Sequence, residues 1–114
     1  MQIELITLAI NNMPEMVAFY NSVFDSALTQ VGDGPFFRGT FAGVDLLFCP
    51  NDIAGVDAKR NRHQFRISVD DLDAFTARLT AAGGSILNEG ASGERKILGV
   101  CDVEDNTYEV IQAK

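Results

Sequence analysis

Residues 5–10 read Leu-Ile-Thr-Leu-Ala-Ile, and residues 64–69 read Gln-Phe-Arg-Ile-Ser-Val. In both segments apolar side chains recur at every second position, which is the period of a β-strand with one buried face. Each segment is followed by a helical pattern, so the chain predicts the same strand-then-helix order twice. The side chains predicted to face the helices are Ile6, Leu8, Ile10, Phe65, Ile67 and Val69.

The two predicted helices have recognisable ends. Asn12 is a suitable N-cap for the first helix, and Glu15 follows three residues later, as in a capping box. The second helix is predicted to begin after Asp70 or Asp71 and to end at Gly83–Gly84. The apolar residues at helical spacing are Met13, Val17, Tyr20 and Phe24 in the first helix, and Leu72, Phe75, Leu79 and Ala82 in the second.

Further strands are predicted after each helix, and they complete a repeat. They cover residues 36–41 and 44–49, with a third expected beside them, and then residues 85–88, 96–101 and 108–112. Residues 46–48 match residues 108–110 in this scheme. The sequence therefore predicts an α+β fold of two βαβββ modules, residues 1–49 and 63–114, in a single domain. The connector, residues 50–62, is polar and lacks periodicity, and its basic end is expected either to be solvated or to contact an anionic ligand.

Length and composition indicate a single-domain protein and argue against several classes of function. A chain of 114 residues suits one domain, because two independent cores of half that size would be marginal. The formal net charge of -7 argues against binding to nucleic acid or to an anionic membrane surface. No apolar run approaches the ~18 residues of a membrane span, and the first residues do not resemble an export signal. A cytoplasmic protein is expected, with Cys49 and Cys101 reduced and packed as small apolar side chains.

Three segments of the chain resemble the vicinal-oxygen-chelate superfamily, which contains glyoxalase I, the bleomycin-resistance proteins and the extradiol ring-cleaving dioxygenases. They are residues 13–24, residues 65–73 and residues 102–111. The last resembles the closing Asp-Pro-Asp-Gly-Asn turn of the family, with Val103 in place of Pro and Asp105 in place of Gly. The resemblance implies a curved mixed sheet around a cleft that holds a ligand, and a homodimer.

The resemblance also implies where a metal ion would be held, and the residues at those positions are unusual. The four ligand positions of the family fall on Leu5, Leu47, Gln64 and Glu109. Only Glu109 is a carboxylate, Gln64 is a weak neutral donor, and leucine cannot coordinate a metal. We therefore expect no cofactor. The alternative is a divalent Fe, Mn, Ni or Zn ion on Gln64 and Glu109, with His63 as a further candidate. His63 lies one residue from Gln64, so strand alternation is expected to direct it away from the cleft.

The same alternation predicts the residues that line the cleft. The predicted ligand-binding residues are Thr7, Cys49, Gln64, Arg66, Thr107 and Glu109. Two interpretations of Arg66 and Glu109 stay open: Arg66 binds an anionic group while Glu109 acts as a catalytic base, or the two form a buried structural ion pair. Phe36, Phe37 and Phe41 are expected either to line the cleft or to fill the core.

Three functions remain from these observations. The first is a metal-free protein of the bleomycin-resistance kind that binds a small organic ligand. The second is an atypical metal-dependent lyase, isomerase or ring-cleavage dioxygenase of the glyoxalase type. The third is a metal-free enzyme that uses Glu109 and Arg66. The sequence leaves open whether the protein is an enzyme at all, and it does not identify the ligand.

Overall fold

A computed structural model describes residues 1–59, 61 and 63–114 of the chain. Two compact units, Met1–Asp57 and Ala58–Lys114, divide the chain, and each contains one strand, one long helix and three further strands. The boundary between the units falls inside the predicted connector. Arg60 and Arg62, in the basic end of that connector, lie outside the described residues. That both units form a single domain stays a prediction.

The elements of the first unit follow in chain order as β1 (Ile6–Ile10), α1 (Met13–Val23), β2 (Thr29–Gln30), β3 (Phe37–Phe41), β4 (Val44–Pro50) and α2 (Asn51–Ala54). Those of the second unit are β5 (Arg66–Val69), α3 (Leu72–Ala81), β6 (Ser85–Ser92), β7 (Arg95–Cys101) and β8 (Thr107–Gln112). The predicted α+β fold with two βαβββ modules is confirmed.

Each unit builds one four-stranded mixed sheet with the same strand order. The first sheet runs β1-β4-β3-β2 and the second runs β5-β8-β7-β6, and each contains one parallel pair. Thr7 lies opposite Leu47 in the first sheet, and Arg66 lies opposite Glu109 in the second. These are equivalent positions of the sequence repeat, so the match between residues 46–48 and 108–110 is confirmed at the level of register.

The helices begin where their capping residues are. Asn12 Oδ1 accepts a hydrogen bond from the Glu15 N–H at 3.2 Å, and Asp71 Oδ1 accepts one from the Ala74 N–H at 3.0 Å. Asp71, and not Asp70, is therefore the N-cap of α3. Such a cap satisfies a backbone donor that has no partner within its own helix.

Apolar side chains of each helix pack into the core of its own unit. Tyr20 of α1 is fully buried, and its ring centroid lies 5.1 Å from that of Phe48 on β4. Leu79 of α3 is also fully buried. The predicted stripe of α3 is therefore its core-facing side, since Leu72, Phe75 and Leu79 are buried. In α1 only Tyr20 of the predicted stripe is buried, and the buried face is rotated toward Met16, Phe19 and Val23. Phe65 is an exception among the residues expected to face a helix: it precedes the short strand β5 and is 38% exposed.

The two largest differences from the prediction lie in the connector and in strand β6. Residues 51–54 of the connector form one helical turn, which ends at Gly55 in the left-handed conformation, and a single turn is too short to show periodicity. Strand β6 continues to Ser92 instead of stopping at residue 88, because the turn to β7 is made at Gly93 rather than from Gly90 onward. No helix among residues 1–59, 61 and 63–114 has the length and hydropathy needed to cross a bilayer.

Candidate ligand-binding surface

One row of residues crosses all four strands of the second sheet. Arg66 on β5 lies opposite Glu109 on β8, Glu109 lies opposite Gly99 on β7, and Gly99 lies opposite Asn88 on β6. Residues that oppose one another in a sheet project from the same face. This face is the one opposite to Val110, which is fully buried on the helix side. The row therefore brings a cation, a carboxylate and an amide onto one surface.

Arg66 and Glu109 form an ion pair on this surface. Arg66 Nε lies 3.2 Å from Glu109 Oε1, and the two side chains are 50% and 35% exposed. The predicted pairing is confirmed, but the prediction of a buried pair is wrong, because both side chains remain in contact with solvent. An ion pair this exposed contributes about 0–1 kcal/mol to stability. Its contribution to folding is thus small, and both groups are accessible to a ligand.

Asn61 fastens the segment before β5 to the beginning of β8. Its Oδ1 accepts hydrogen bonds from the Thr107 N–H at 2.8 Å and from the Thr107 hydroxyl at 3.2 Å. Its Nδ2 donates to the carbonyl oxygens of Thr107, at 3.0 Å, and of His63. Gln64 Nε2 donates to Thr107 Oγ1 at 3.4 Å. The side chains of Gln64 and Thr107, both predicted site residues, therefore meet.

A concavity of about 310 Å³ lies beside this cluster. Its size is at the lower end of the range for small-molecule sites, roughly 300–1,000 Å³. The residues that line it are Asn61, Gln64, Leu87, Asn88, Gly99, Thr107, Tyr108 and Glu109. Three predicted site residues, Gln64, Thr107 and Glu109, are thus brought together, and Arg66 joins them through its ion pair.

Sequence reasoning missed five residues of this concavity, namely Asn61, Leu87, Asn88, Gly99 and Tyr108. Asn61 lies in the connector, where no periodicity marks a side chain as structural or functional. The sequence predicts that a strand ends at Asn88, whereas β6 continues to Ser92, and Gly99 has no side chain that would suggest a role. A useful signal for Gly99 is its position in an otherwise apolar strand, since a glycine there often marks close approach of another group.

The other two predicted site residues belong to the first sheet. Thr7 is exposed, and Cys49 lies opposite Ala9, on the same face as Thr7. Cys49 is only 6% exposed, and both cysteines are free and buried, as expected for small apolar side chains. A role for Thr7 and Cys49 in ligand binding stays a prediction.

Of the three phenylalanines, Phe41 and Phe37 lie on the core side of the first sheet. Phe41 is buried, and its ring centroid lies 5.9 Å from that of Tyr20 and 4.9 Å from that of Phe24, so it belongs to the core of the first unit. Phe37 lies opposite Phe48, on the helix-facing side of the sheet. Phe36 is half-buried and precedes β3. At least Phe41 is therefore a core residue.

The donor set at the metal-ligand positions of the family does not fit a transition-metal centre. The second unit offers one carboxylate, Glu109, and one amide, Gln64, which already donates to Thr107. The first unit offers Leu5 and Leu47. His63 is exposed, and the described part of the chain has no group of three or more His, Cys, Asp or Glu side chains placed to hold a metal ion. Zinc and iron sites in proteins are normally built from three or four such ligands.

A second concavity, of about 330 Å³, lies at the end of β5 and is lined by Ser68, Val69, Asp70, Asp71 and Arg78. Its polar groups serve the fold. Asp71 caps α3, and Arg78 lies over the ring of Phe75 at 6.0 Å. The first concavity is therefore the stronger candidate for a functional site.

Comparison with known proteins agrees with the observed fold. A sequence model of the Glyoxalase/Bleomycin resistance protein/Dioxygenase superfamily matches residues 2–107. A search of curated protein sequences finds no significant match.

Solved structures share the fold at low sequence identity. A glyoxalase-related enzyme from Fulvimarina pelagi is 20% identical, with a TM-score of 0.78, over 98% of this chain and 88% of that one. A fosfomycin resistance protein, FosX, from Listeria monocytogenes is 17% identical, with a TM-score of 0.80, over 100% and 94%. A glyoxalase/bleomycin resistance protein/dioxygenase family enzyme from Burkholderia phytofirmans PsJN is 14% identical, with a TM-score of 0.82, over the whole of both chains. Likeness at this level supports the fold and does not transfer a reaction or a ligand.

Proposed function

Because the chain belongs to the glyoxalase, bleomycin resistance protein and dioxygenase superfamily, we propose that it binds a small organic molecule in the concavity of its second sheet. The observation that carries this proposal is the convergence of Glu109, Gln64 and Thr107 around a space of about 310 Å³. A concave surface with a few placed polar groups is the usual form of a small-molecule site. Glu109 is the principal polar contact, since it is the carboxylate among the lining residues.

The proposed site works without a resident metal ion. Its support is the chemistry of the donor set: one carboxylate, one amide already used in a hydrogen bond, and leucine at two of the four ligand positions. Ligand recognition would then rest on hydrogen bonds that the carboxylate accepts and on hydrogen bonds made with the amides and the Thr107 hydroxyl. Arg66, paired with Glu109 at 3.2 Å, keeps that carboxylate oriented.

The first experiment is a thermal-shift measurement on chelator-treated protein, with Mn, Fe(II), Ni and Zn ions and with a library of small organic molecules. A ligand present at ~100 times its dissociation constant stabilises the folded state by about 2.7 kcal/mol, which raises the melting temperature by several degrees. We expect no shift with the metals and a shift with at least one organic compound. That shift should disappear in Glu109→Gln.

Glu89→Gln is the matched control, because Glu89 is also an ion-paired glutamate of the second unit. Its Oε1 lies 3.4 Å from Lys96 Nζ, and its register partner is Leu98, which lies on the other face of the sheet. The control should bind the compound as the parent chain does. A metal-induced shift that is lost in Glu109→Gln would overturn the metal-free proposal. An equal loss in Glu89→Gln would show that the binding site lies elsewhere.

A second candidate function is a metal-free enzyme in which Glu109 accepts a proton from the bound molecule. The observation in its favour is that the carboxylate is accessible and has a guanidinium beside it, an arrangement that could stabilise negative charge on a substrate. Following the bound compound over time separates the two functions. Conversion that is abolished in Glu109→Gln while binding persists would identify an enzyme, and an unchanged compound would identify a binding protein.

We further propose that the protein is a cytoplasmic homodimer, as the family resemblance and the reduced cysteines suggest. Sedimentation of the full chain tests the dimer, with a monomer as the contrary result.

A further inference from the structure

Asn88 occupies an irregular position on β6. The pairing of β6 with β7 shifts register between Ile86 and Asn88, so Leu87 is an extra residue in the strand. A bulge of this kind changes the direction of the side chains around it, and bulges are common beside functional sites. Without the extra residue, strand alternation would place Asn88 on the same face as Ile86. The bulge instead places Asn88 in the row that contains Glu109.

Gly99 gives the Asn88 side chain its space. A Cβ atom added at Gly99 would lie 2.5 Å from Asn88 Oδ1 and 3.0 Å from Asn88 Nδ2. The amide of Asn88 therefore lies directly over the backbone of Gly99, in the strand next to Glu109. A side chain at position 99 would push this amide away from the middle of the sheet.

Two side-chain groups of the concavity have no hydrogen-bond partner among residues 1–59, 61 and 63–114. Among the described residues, the Asn88 amide makes no hydrogen bond, and Glu109 uses Oε1 for Arg66 while Oε2 has none. A side-chain amide supplies an NH2 group with two N–H donors and a carbonyl acceptor, whereas an ionised carboxylate only accepts. Leu87, which is 46% exposed, adds an apolar contact to the same concavity.

We propose that Asn88 is a ligand-binding residue, and that the concavity takes a neutral group with an N–H donor beside a carbonyl acceptor, as in a primary amide or a lactam. The ligand N–H donates to Glu109 Oε2, and its carbonyl oxygen accepts from Asn88 Nδ2. An apolar ring or chain attached to this group contacts Leu87. The inference rests on the proposed function, since it specifies the class of molecule bound at the same site.

Benzamide is a suitable probe, because it joins a primary amide to an apolar ring. Benzoate offers acceptors alone, and benzylamine offers donors alone, so the three probes separate the amide class from anions and cations. Two-dimensional amide NMR spectra of the isotope-labelled full chain follow each titration. We expect saturable shifts of the Asn88 side-chain amide and of the Gly99 and Glu109 backbone amides with benzamide, and weaker binding of the other two probes.

Variants then test Asn88 itself. Asn88→Ala should raise the benzamide dissociation constant at least about fivefold, the effect of one lost hydrogen bond. Gly99→Ala should do the same by displacing the amide, and Glu89→Gln, on the opposite face, should leave the constant unchanged. Because Gly99→Ala could disturb folding, its spectrum in the absence of probe is compared with that of the parent chain, and Asn88→Ala alone decides the matter if they differ.

The possible failures are distinguishable. Shifts around Glu109 that are the same in Asn88→Ala and in the parent chain would overturn the role of Asn88 while leaving the proposed site intact. Tighter binding of benzoate or benzylamine than of benzamide would overturn the amide class. An absence of shifts around the concavity with all three probes would overturn this inference, whereas the proposed function would be judged by its own compound library.

Discussion

The two units share a topology, yet their open sheet faces differ in chemistry. The row Arg66, Glu109, Gly99 and Asn88 of the second sheet is equivalent to Thr7, Leu47, Arg38 and Thr29 of the first. The helix-facing sides are apolar in both, because each must bury its helix. A repeat therefore conserves the pattern that folds each unit and leaves the other face free to acquire a function.

The two sheets also differ in the length of their edge strands. In the first sheet the edge strand β2 has 2 residues, whereas β6 in the second has 8. The long β6 carries Leu87 and Asn88 beside β7 and so supplies one side of the concavity. The short β2 places Thr29 opposite Arg38 and ends one residue later. The length of one edge strand is thus part of what makes the second sheet a candidate site.

The cores of the units differ as well. Five aromatic rings contact one another in the first unit, namely those of Phe19, Tyr20, Phe24, Phe41 and Phe48. The largest predicted effect follows from this cluster: Phe48→Ala should lower the free energy of unfolding by about 3–5 kcal/mol. Chemical denaturation measures it, with the exposed Leu87→Ala as the control. A loss below 1 kcal/mol would show that the aromatic cluster is not what holds the first unit together.

A close backbone approach gives the next largest effect. A Cβ atom at Gly39 would lie 2.1 Å from the carbonyl oxygen of Ser26, and backbone cannot move aside as a flexible side chain can. Gly39→Ala should therefore cost about 1–3 kcal/mol or more. Gly90→Ala, where nothing lies within 4 Å, is the matched glycine of the second unit and should change stability by no more than about 0.5 kcal/mol. Equal losses in both would contradict the model of a tight contact.

The two exposed ion pairs, one in each sheet, allow effects on stability to be separated from effects on ligand binding. Arg38–Asp45 and Arg66–Glu109 are both exposed, with nitrogen-to-oxygen distances of 3.3 and 3.2 Å. Arg38→Gln and Arg66→Gln should each change the free energy of unfolding by about 0–1 kcal/mol. Only Arg66→Gln should weaken binding of a compound found in the thermal-shift library. A similar loss of binding in Arg38→Gln would remove the functional contrast between the two sheets.

The smallest effect concerns the turn between β7 and β8, which the first unit replaces by a tighter one at Ala42–Gly43. Asp105 has φ of 67°, in the left-handed region that glycine adopts without strain. Asp105→Gly should raise the free energy of unfolding by about 0.5 kcal/mol, and Asp105→Ala should lower it by a similar amount. Thermal denaturation compares the two variants. Effects of the same sign would contradict a conformational cause.

Hydrogen bonds to one aspartate hold this turn. The buried Asp102 accepts from the backbone N–H groups of Glu104 and Asn106 and from Asn106 Nδ2. This arrangement uses Asp102 and Asn106 at their spacing, and Val103, Glu104 and Asp105 occupy the three positions between them. The turn was therefore predictable from sequence even though these three of its five residues differ from those of the family turn.

Local patterns determined most of the fold. Strand alternation assigned Thr107 and Glu109 to a face, and the spacing of caps located the start of α1 at Asn12. These features depend on neighbouring residues, so they can be read from the chain itself. The match between residues 46–48 and 108–110 also predicted the strand register, because β4 pairs with β1 in the same way as β8 pairs with β5.

The tertiary structure alone decided which side chains meet around the concavity. Asn61 and Thr107 are joined across 46 residues of chain, and no periodicity relates them. Asn88 reaches its position through a register shift between β6 and β7 and through the space that Gly99 leaves open. Both features exist only after these two strands have paired. The exposure of the Arg66–Glu109 pair depends on what else covers that face. Local rules assign a residue to a strand and a face, whereas contacts between distant segments exist only once the sheet has formed.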